Sequence, residues 1–336
     1  MDEMHFAFKG RPDPAGWPEE VVPVFESSVT CSYATLTAAG RPITWPITPY
    51  PGEDGRTIDI STGLTYPSKA ERARSNPKVG LLFADPLGSG LEKSPLVIVK
   101  GEATVRDADL QAGADRYARL SIARLPAAWK GTPRFLMRAQ KWYWSRIWIL
   151  VTPLEILWWP EGRMTGKPKK WKAPAFTFVA LSDPRPEGRS IPVAATEIDQ
   201  EKRADLALEH LGLPHLTVVD DGYPVPLPTE AARRTEEGFY LTLPSEIPIA
   251  VTGDACLTFQ QHAEVFDGQR NSVFLGTAEP AGDETLFRLE RALPDFSLGG
   301  SRIDRAKAFF TQRKRFAPRL EHEAQRRGQR IPKVNL

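Results

Sequence analysis

Four residues that can meet an anion stand close together in the chain: Ser61, Thr62, Ser68 and Lys69. Between the two pairs lies a short glycine-containing stretch, Gly63 to Pro67. The first turn of a helix leaves backbone N–H groups unpaired and carries a partial positive charge, so hydroxyls and an ammonium at that point suit a phosphate dianion. Spacing alone leaves two readings open. Ser68 can simply cap its helix while Lys69 stays solvated, or the pair can close an anion site.

The elements around these residues must hold them in place. RTIDIST (Arg56–Thr62) alternates polar and apolar residues, as a half-buried strand does. Ser68-Lys69-Ala70-Glu71 spells a capping box, which predicts Ser68 as the N-cap of a helix reaching about Asn76, where Pro77 stops it. KVGLLFA and LVIVKGEATV read as strands, and Asp107 to Leu125 as a helix halted by Pro126. Ile147 to Trp159 is a long apolar strand pair with a bend at Pro153. Upstream, Tyr33 to Pro46 reads as a hairpin, and Asp54-Gly55 marks another turn. Proline supplies 31 of 336 residues, against a usual ~5%, and is spread through apolar runs. Many short strands follow, which favours barrels over one wide sheet.

The chain also resembles itself. A shift of 182 residues lays Thr35, Gly40, Pro42 and Pro46 on Thr217, Gly222, Pro224 and Pro228. With slightly smaller shifts Ser68 falls on Ser245, Phe83 on Phe259 and Gly101 on Gly276, in the same order. An internal duplication is the reading. The second copy carries PSEIPIAVTGDACLTF where the first has PSKAERARSNPKVGLLF, so Glu246 stands in place of Lys69 and the helix is nearly lost. A glutamate would repel a phosphate, so the second copy should lack a phosphate site.

The stretch ISTGLTYPSKAERARSNPKVGLLFADP, followed by VIVKGEATV and the closing RIWILVTPLEILWWP, resembles the FMN-binding split-barrel family that includes the pyridoxamine 5′-phosphate oxidases. The resemblance covers residues 20–162 well and 195–300 more weakly. It implies a mainly β fold: two tandem split β-barrels of about six strands each, with flanking helices, arranged as an intramolecular pseudo-dimer. By position, Ser68 and Lys69 would bind the phosphate of FMN, with Ser61 and Thr62 nearby. Trp45, Pro46, Ile47 and Thr48 would pass the flavin ring and offer backbone groups to it. Relatives that use deazaflavin (F420) or haem share the layout, so F420 and haem are the alternative cofactors. Pro67 and Ser68 stand where the oxidases have an arginine before the lysine, so pyridoxamine phosphate is not the expected substrate. The expectation is an FMN-dependent oxidoreductase of a small organic substrate, with one cofactor site per chain between the two barrels. The alternatives are a non-enzymatic flavin, deazaflavin or haem binder and an F420-dependent reductase. No catalytic side chain is named.

The domain plan is a first barrel at 20–162, a linker at 163–174, a degenerate barrel at 175–300 and a basic helical tail at 301–336. The linker assignment rests on GRMTGKPKKWKAP, which has five basic residues and no apolar period. From Arg302 to Lys333 there are eleven Lys/Arg and three acids, so a tail of +8 follows a body of −6. A helix from Ile303 to about Arg315 is expected there. With a net charge of only +2, nucleic acid is not an expected partner. His262 could be a haem ligand or a loop histidine. Trp142 and Trp144 could line a pocket or fill the core, and Arg146 could meet an anionic substrate or a surface carboxylate. Two cysteines and five scattered histidines predict no metal site and no disulfide framework. The opening MDEMHFAFKGRPDP lacks the apolar core of a signal peptide, and no uncharged apolar run approaches a membrane span. A cytoplasmic monomer with no membrane partner is the expectation, with further oligomerisation left open.

Overall fold

The proline-rich, β-branched runs fold into antiparallel strands of three to fourteen residues, sixteen of them among the residues described here, which are 16–192, 199–264, 269–294, 296–298 and 315–336 of a computed structural model. The first eight are β1 (Cys31–Leu36), β2 (Pro42–Ile47), β3 (Pro49–Pro51), β4 (Ile58–Gly63), β5 (Lys78–Phe83), β6 (Leu96–Arg106), β7 (Arg146–Trp159) and β8 (Lys169–Lys172). They form one sheet in the order β2-β1-β5-β6-β7-β4-β3, with β8 added on β7. The second eight are β9 (His215–Asp220), β10 (Tyr223–Pro228), β11 (Ala231–Thr235), β12 (Gly238–Thr242), β13 (Gly253–His262), β14 (Gln269–Ala281), β15 (Glu284–Ala292) and β16 (Phe296–Leu298). Their sheet runs β10-β9-β13-β14-β15-β12-β11, with β16 on β14. Strand for strand, β9 to β15 repeat the order of β1 to β7. The expected mainly β class, two barrel-like sheets with flanking helices, is what the structure shows, at seven strands per path rather than six.

One detail ties the two sheets together more closely than their order does. The β6–β7 register slips between Lys100 and Gly101, and the β14–β15 register slips between Leu275 and Gly276. Both sites need glycine for the same reason. A Cβ on Gly101 would lie 2.6 Å from the Thr152 carbonyl oxygen, and one on Gly276 would lie 1.9 Å from that of Arg288. These bulges bend the long strands so that each sheet can curl over its own core.

Strands from both ends of the first sheet meet in one core: Tyr33 of β1, Ile58 and Ile60 of β4, Val79 and Leu81 of β5, Val97 and Val99 of β6, and Ile147 of β7. The opposite faces of β5, β6 and β7 are buried as well. Leu82, Ile98, Leu157 and Trp159 join a second core with Leu216, Val225, Leu227, Phe259 and Phe274 of the second sheet. Burial on both faces is why these strands read as unbroken apolar runs rather than as alternation. The contact is close: a Cβ on Gly80 would sit 1.9 Å from the Pro224 carbonyl oxygen. Across the same interface the Thr44 and Thr217 hydroxyl oxygens are 2.6 Å apart, and Ser32 Oγ is 2.7 Å from His215 Nδ1.

Helices and irregular segments close the open sides. The Val22–Ser27 and Ser68–Ser75 helices bury Val24, Phe25, Ala70 and Ala73 in the first core. Lys169–Lys172, within the stretch read as linker, is strand β8 paired to β7. The chain then stays on the first sheet. The Val105 amide donates to Ser182 Oγ (2.9 Å), Thr104 Oγ1 donates to the Ala180 carbonyl (2.6 Å), and Asp183 Oδ2 accepts from the amides of Asp107 and Ala108 (2.7 and 2.8 Å). In the second half, residues 243–252 form no helix between β12 and β13, and Ile247, Ile249 and Val251 pack on the second core instead.

The described part of the basic C-terminal segment, 315–336, is a packed element. The helix expected at 303–315 lies outside the described residues apart from its last position, and the described helix spans 315–326. It buries Leu320 and Ala324 in the first core. Arg327 pairs with Asp107 (2.8 Å), Glu323 (2.7 Å) and Glu71 (3.3 Å). Among the described residues no helix is long and apolar enough to cross a membrane.

Candidate cofactor-binding site

The site grows from the turn between β4 and the Ser68–Ser75 helix. The predicted capping box does not form. Pro67, already in helical geometry at φ −73 and ψ −3, is the N-cap, so Ser68 becomes the first helical residue and is exposed. With its capping role gone, Glu71 turns instead to Arg327 (3.3 Å) and Arg74 (3.9 Å). Thr62 is 3% exposed and donates its hydroxyl to the Tyr66 carbonyl (3.0 Å), which tightens the turn. Ser61, buried, pairs in register with Trp148.

Lys69 is half-buried on the first turn of the helix, and its Nζ lies 5.0 Å from the ring centroid of Trp45 on β2. Burial pushes its pKa down to about 7, helped by the charges of Arg72 and Arg146. Arg72 is one turn further on. Its Nε donates to Thr35 Oγ1 (2.8 Å), while its Nη2 is buried without a hydrogen-bond partner. Arg146, the first residue of β7, donates from Nη2 to the Tyr117 hydroxyl (3.0 Å) and stacks over the Tyr117 and Tyr143 rings at 4.1 and 4.6 Å. Its Nη1 is 3.8 Å from where a Cβ on Gly63 would be, which sets it beside the turn, and its Nε is also buried and unpartnered. Among the described residues none of the three cations makes an ion pair. Three converging positive charges with unused N–H donors are unfavourable by themselves and favourable around an anion.

Trp45, Pro46 and Ile47 lie on β2 in register with Tyr33, Ser32 and Cys31, and Thr48 follows at the half-buried step into β3. The second sheet forms the facing wall. The Thr44 amide donates to Cys256 Sγ (3.4 Å), Thr258 Oγ1 donates to the Thr44 carbonyl (3.3 Å), and Cys256 packs with Ile43 and Trp45. A third wall is aromatic: Phe316 of the C-terminal helix meets Trp142 at 5.1 Å and Tyr66 at 5.2 Å, and Arg319 Nε donates to the Thr65 carbonyl (3.0 Å).

The remaining candidates sort themselves by burial. Trp144 and Trp148 belong to the core with Tyr50 and Tyr117, their indole N–H groups donating to the carbonyls of Met137 and Gly113. Trp142 is half-buried with an unpartnered Nε1. His262 has Nε2 3.1 Å from Asp85 Oδ2 and Nδ1 3.1 Å from the Ala263 carbonyl oxygen, which leaves neither nitrogen for a haem iron. Glu246 of the second half is exposed in a turn. Arg72, Thr35 and Cys256 were not foreseen. For Arg72 a signal was present: Lys69 and Arg72 are three apart on one helix, where like charges repel unless an anion sits between them.

No family model matches the chain, and no curated protein matches it. The likeness found is among solved structures. General stress protein 26 from Bacillus anthracis is 16% identical, with 46% of this chain and 96% of that one covered and a TM-score of 0.29. A protein related to general stress protein 26, of the pyridoxinephosphate oxidase family, from Clostridium acetobutylicum is 16% identical over 44% and 89%, with a TM-score of 0.30. An F420 reductase is 19% identical over 42% and 98%, with a TM-score of 0.32. Each takes in less than half of this chain.

Proposed function

We propose that the chain is a flavin-dependent oxidoreductase that binds one FMN between its two halves, with F420 as the alternative cofactor. The observation that carries this reading is the convergence of Lys69, Arg72 and Arg146 at one helix start with, among the described residues, no carboxylate paired to any of them. The donor set fits a phosphate: an ammonium, two guanidinium groups with buried unpartnered N–H donors, and the Ser68 hydroxyl at the first turn. Ser61 and Thr62 would support that turn, and Trp45, Pro46, Ile47 and Thr48 would flank the ring. A bound flavin supplies hydride or electron transfer, so the chain itself has only to bind, orient and exclude water.

The matching strand order and the paired bulges at Gly101 and Gly276 support a tandem duplication in one chain, in which the second barrel takes the place of a partner subunit. In that second barrel a loop replaces the helix and Glu246 stands where a cation is needed, so its own site is silent. A binder without turnover is the second reading.

The test is an absorption spectrum of the purified protein followed by titration with FMN and F420. One equivalent of either per chain is expected. Turnover with a nicotinamide donor then separates an enzyme from a carrier. A chain that takes neither compound at micromolar concentration overturns the reading.

A further inference from the structure

The wall contributed by the second sheet extends beyond the Thr44 contacts. Because the Thr44 amide meets Cys256 and its carbonyl meets Thr258, β2 and β13 advance in the same direction across the interface. The residues after Thr44, which include Pro46 and Thr48, therefore run alongside the residues after Thr258. Cys256, Thr258 and Gln260 project from one face of β13. The antiparallel register with β14 sets Asn271 opposite Gln260 and Gln269 opposite His262, on that same face. Val273, two residues from Asn271, packs with Cys256, Ile43 and Trp45.

Among the described residues three amide atoms on this face are buried without a hydrogen-bond partner: Gln260 Oε1, Asn271 Oδ1 and Gln269 Nε2. Asn271 is 3% exposed and Gln269 8%. A protein keeps such groups at a cost in stability unless something meets them. Cys256 is close enough to Arg72 for each to shift the other's ionisation. Four residues along the strand, about 13 Å at the usual rise, separate it from Gln260. One end of the wall thus adjoins the cations and the other carries amide donors and acceptors.

We propose that Gln260, Gln269 and Asn271 read the polar edge of a planar pyrimidinedione ring laid along β2, while Lys69 and Arg72 hold its phosphate. The imide edge of such a ring offers an N–H to the side-chain carbonyls and a carbonyl to the Gln269 amide. The inference rests on the flavin reading above and adds to it the residues by which the second half recognises the ring.

The experiment compares wild type, Asn271→Leu, Gln269→Glu and Lys69→Met, each titrated with FMN, F420 and riboflavin, which has the ring but no phosphate. Asn271→Leu and Gln269→Glu should weaken FMN and riboflavin alike, about tenfold, and shift the visible band of bound flavin. Lys69→Met should weaken FMN and spare riboflavin. Gln269→Glu keeps the side-chain shape while replacing the donor, so it carries the test if Asn271→Leu fails to fold. If both variants bind every probe as wild type does, with an unshifted band, while Lys69→Met still loses FMN, the inference falls and the cofactor reading stands. A wild-type chain that binds none of the three compounds overturns both.

Discussion

Lys69 Nζ lies 5.0 Å above the ring of Trp45, and among the described residues no carboxylate pairs with it. A cation–π contact offsets part of the desolvation of an ammonium but does not replace a counter-ion. With Arg72 and Arg146 depressing its pKa further, Lys69 is held in a state that an anion would relieve.

If Lys69 holds the phosphate as proposed, replacing it with methionine removes one charged hydrogen bond, worth roughly 1.5–3 kcal/mol. FMN affinity should fall about 10- to 100-fold. The free protein should unfold at the same urea concentration or a higher one, because like-charge repulsion is relieved. Fluorescence quenching and urea unfolding measure the two effects, and an unchanged affinity rejects the assignment of Lys69 to the phosphate.

Affinity should also depend on pH with a definite sign. In the free protein Lys69 titrates near a pKa of about 7, and a bound anion favours its charged form. FMN binding should therefore weaken as pH rises from about 7 toward 9. Lys69→Arg, which stays charged throughout that range, should flatten the profile. Equal slopes for the two proteins would show that another group sets the dependence.

Gly80 tests the union of the halves. A Cβ there would meet the Pro224 carbonyl oxygen at 1.9 Å and Pro226 Cδ at 3.0 Å. Gly80→Val should push the sheets apart and cost roughly 1–3 kcal/mol or more, as overpacking does. Denaturant unfolding should show a lower midpoint, or two transitions in place of one. A variant with the wild-type midpoint would mean that the interface yields easily.

His215 makes acid stability a probe of the same interface. Burial lowers its pKa from 6.5 to about 4. The folded state binds the proton less readily than the unfolded chain, so the stability it contributes is present above pH 6.5 and is lost as pH falls from there toward 4. A shift of this size corresponds to roughly 3–3.5 kcal/mol at most. His215→Asn should reduce the loss between pH 6.5 and 4, followed by circular dichroism in urea, and a variant with the wild-type slope would assign the acid sensitivity elsewhere.

Much of this protein can be read along the chain. The β1–β2, β3–β4, β9–β10 and β14–β15 turns fall at Gly40, Gly55, Gly222 and Gly282, although Pro46, Pro226 and Pro153, the expected bend of a strand pair, lie inside continuous strands. The helix after Pro67 starts within one residue of its predicted start, and the order of Thr35, Phe83 and Gly101 returns in Thr217, Phe259 and Gly276. These features are local, set by backbone sterics and by the spacing of apolar residues. Only the tertiary structure decides that Pro67 rather than Ser68 caps the helix, because that depends on how the turn enters from β4. It alone brings Arg146, 77 positions after Lys69 in the chain, to the same turn, and sets Cys256 of the second sheet beside Arg72. The basic tail shows the same division. Its charge is plain in the composition, but that its described part, 315–336, packs on the body follows from Arg327 meeting Asp107 and Glu71, residues more than two hundred positions away. Burial and partnership are properties of three-dimensional neighbours, and linear spacing carries them only where the neighbours share a turn of helix or a strand.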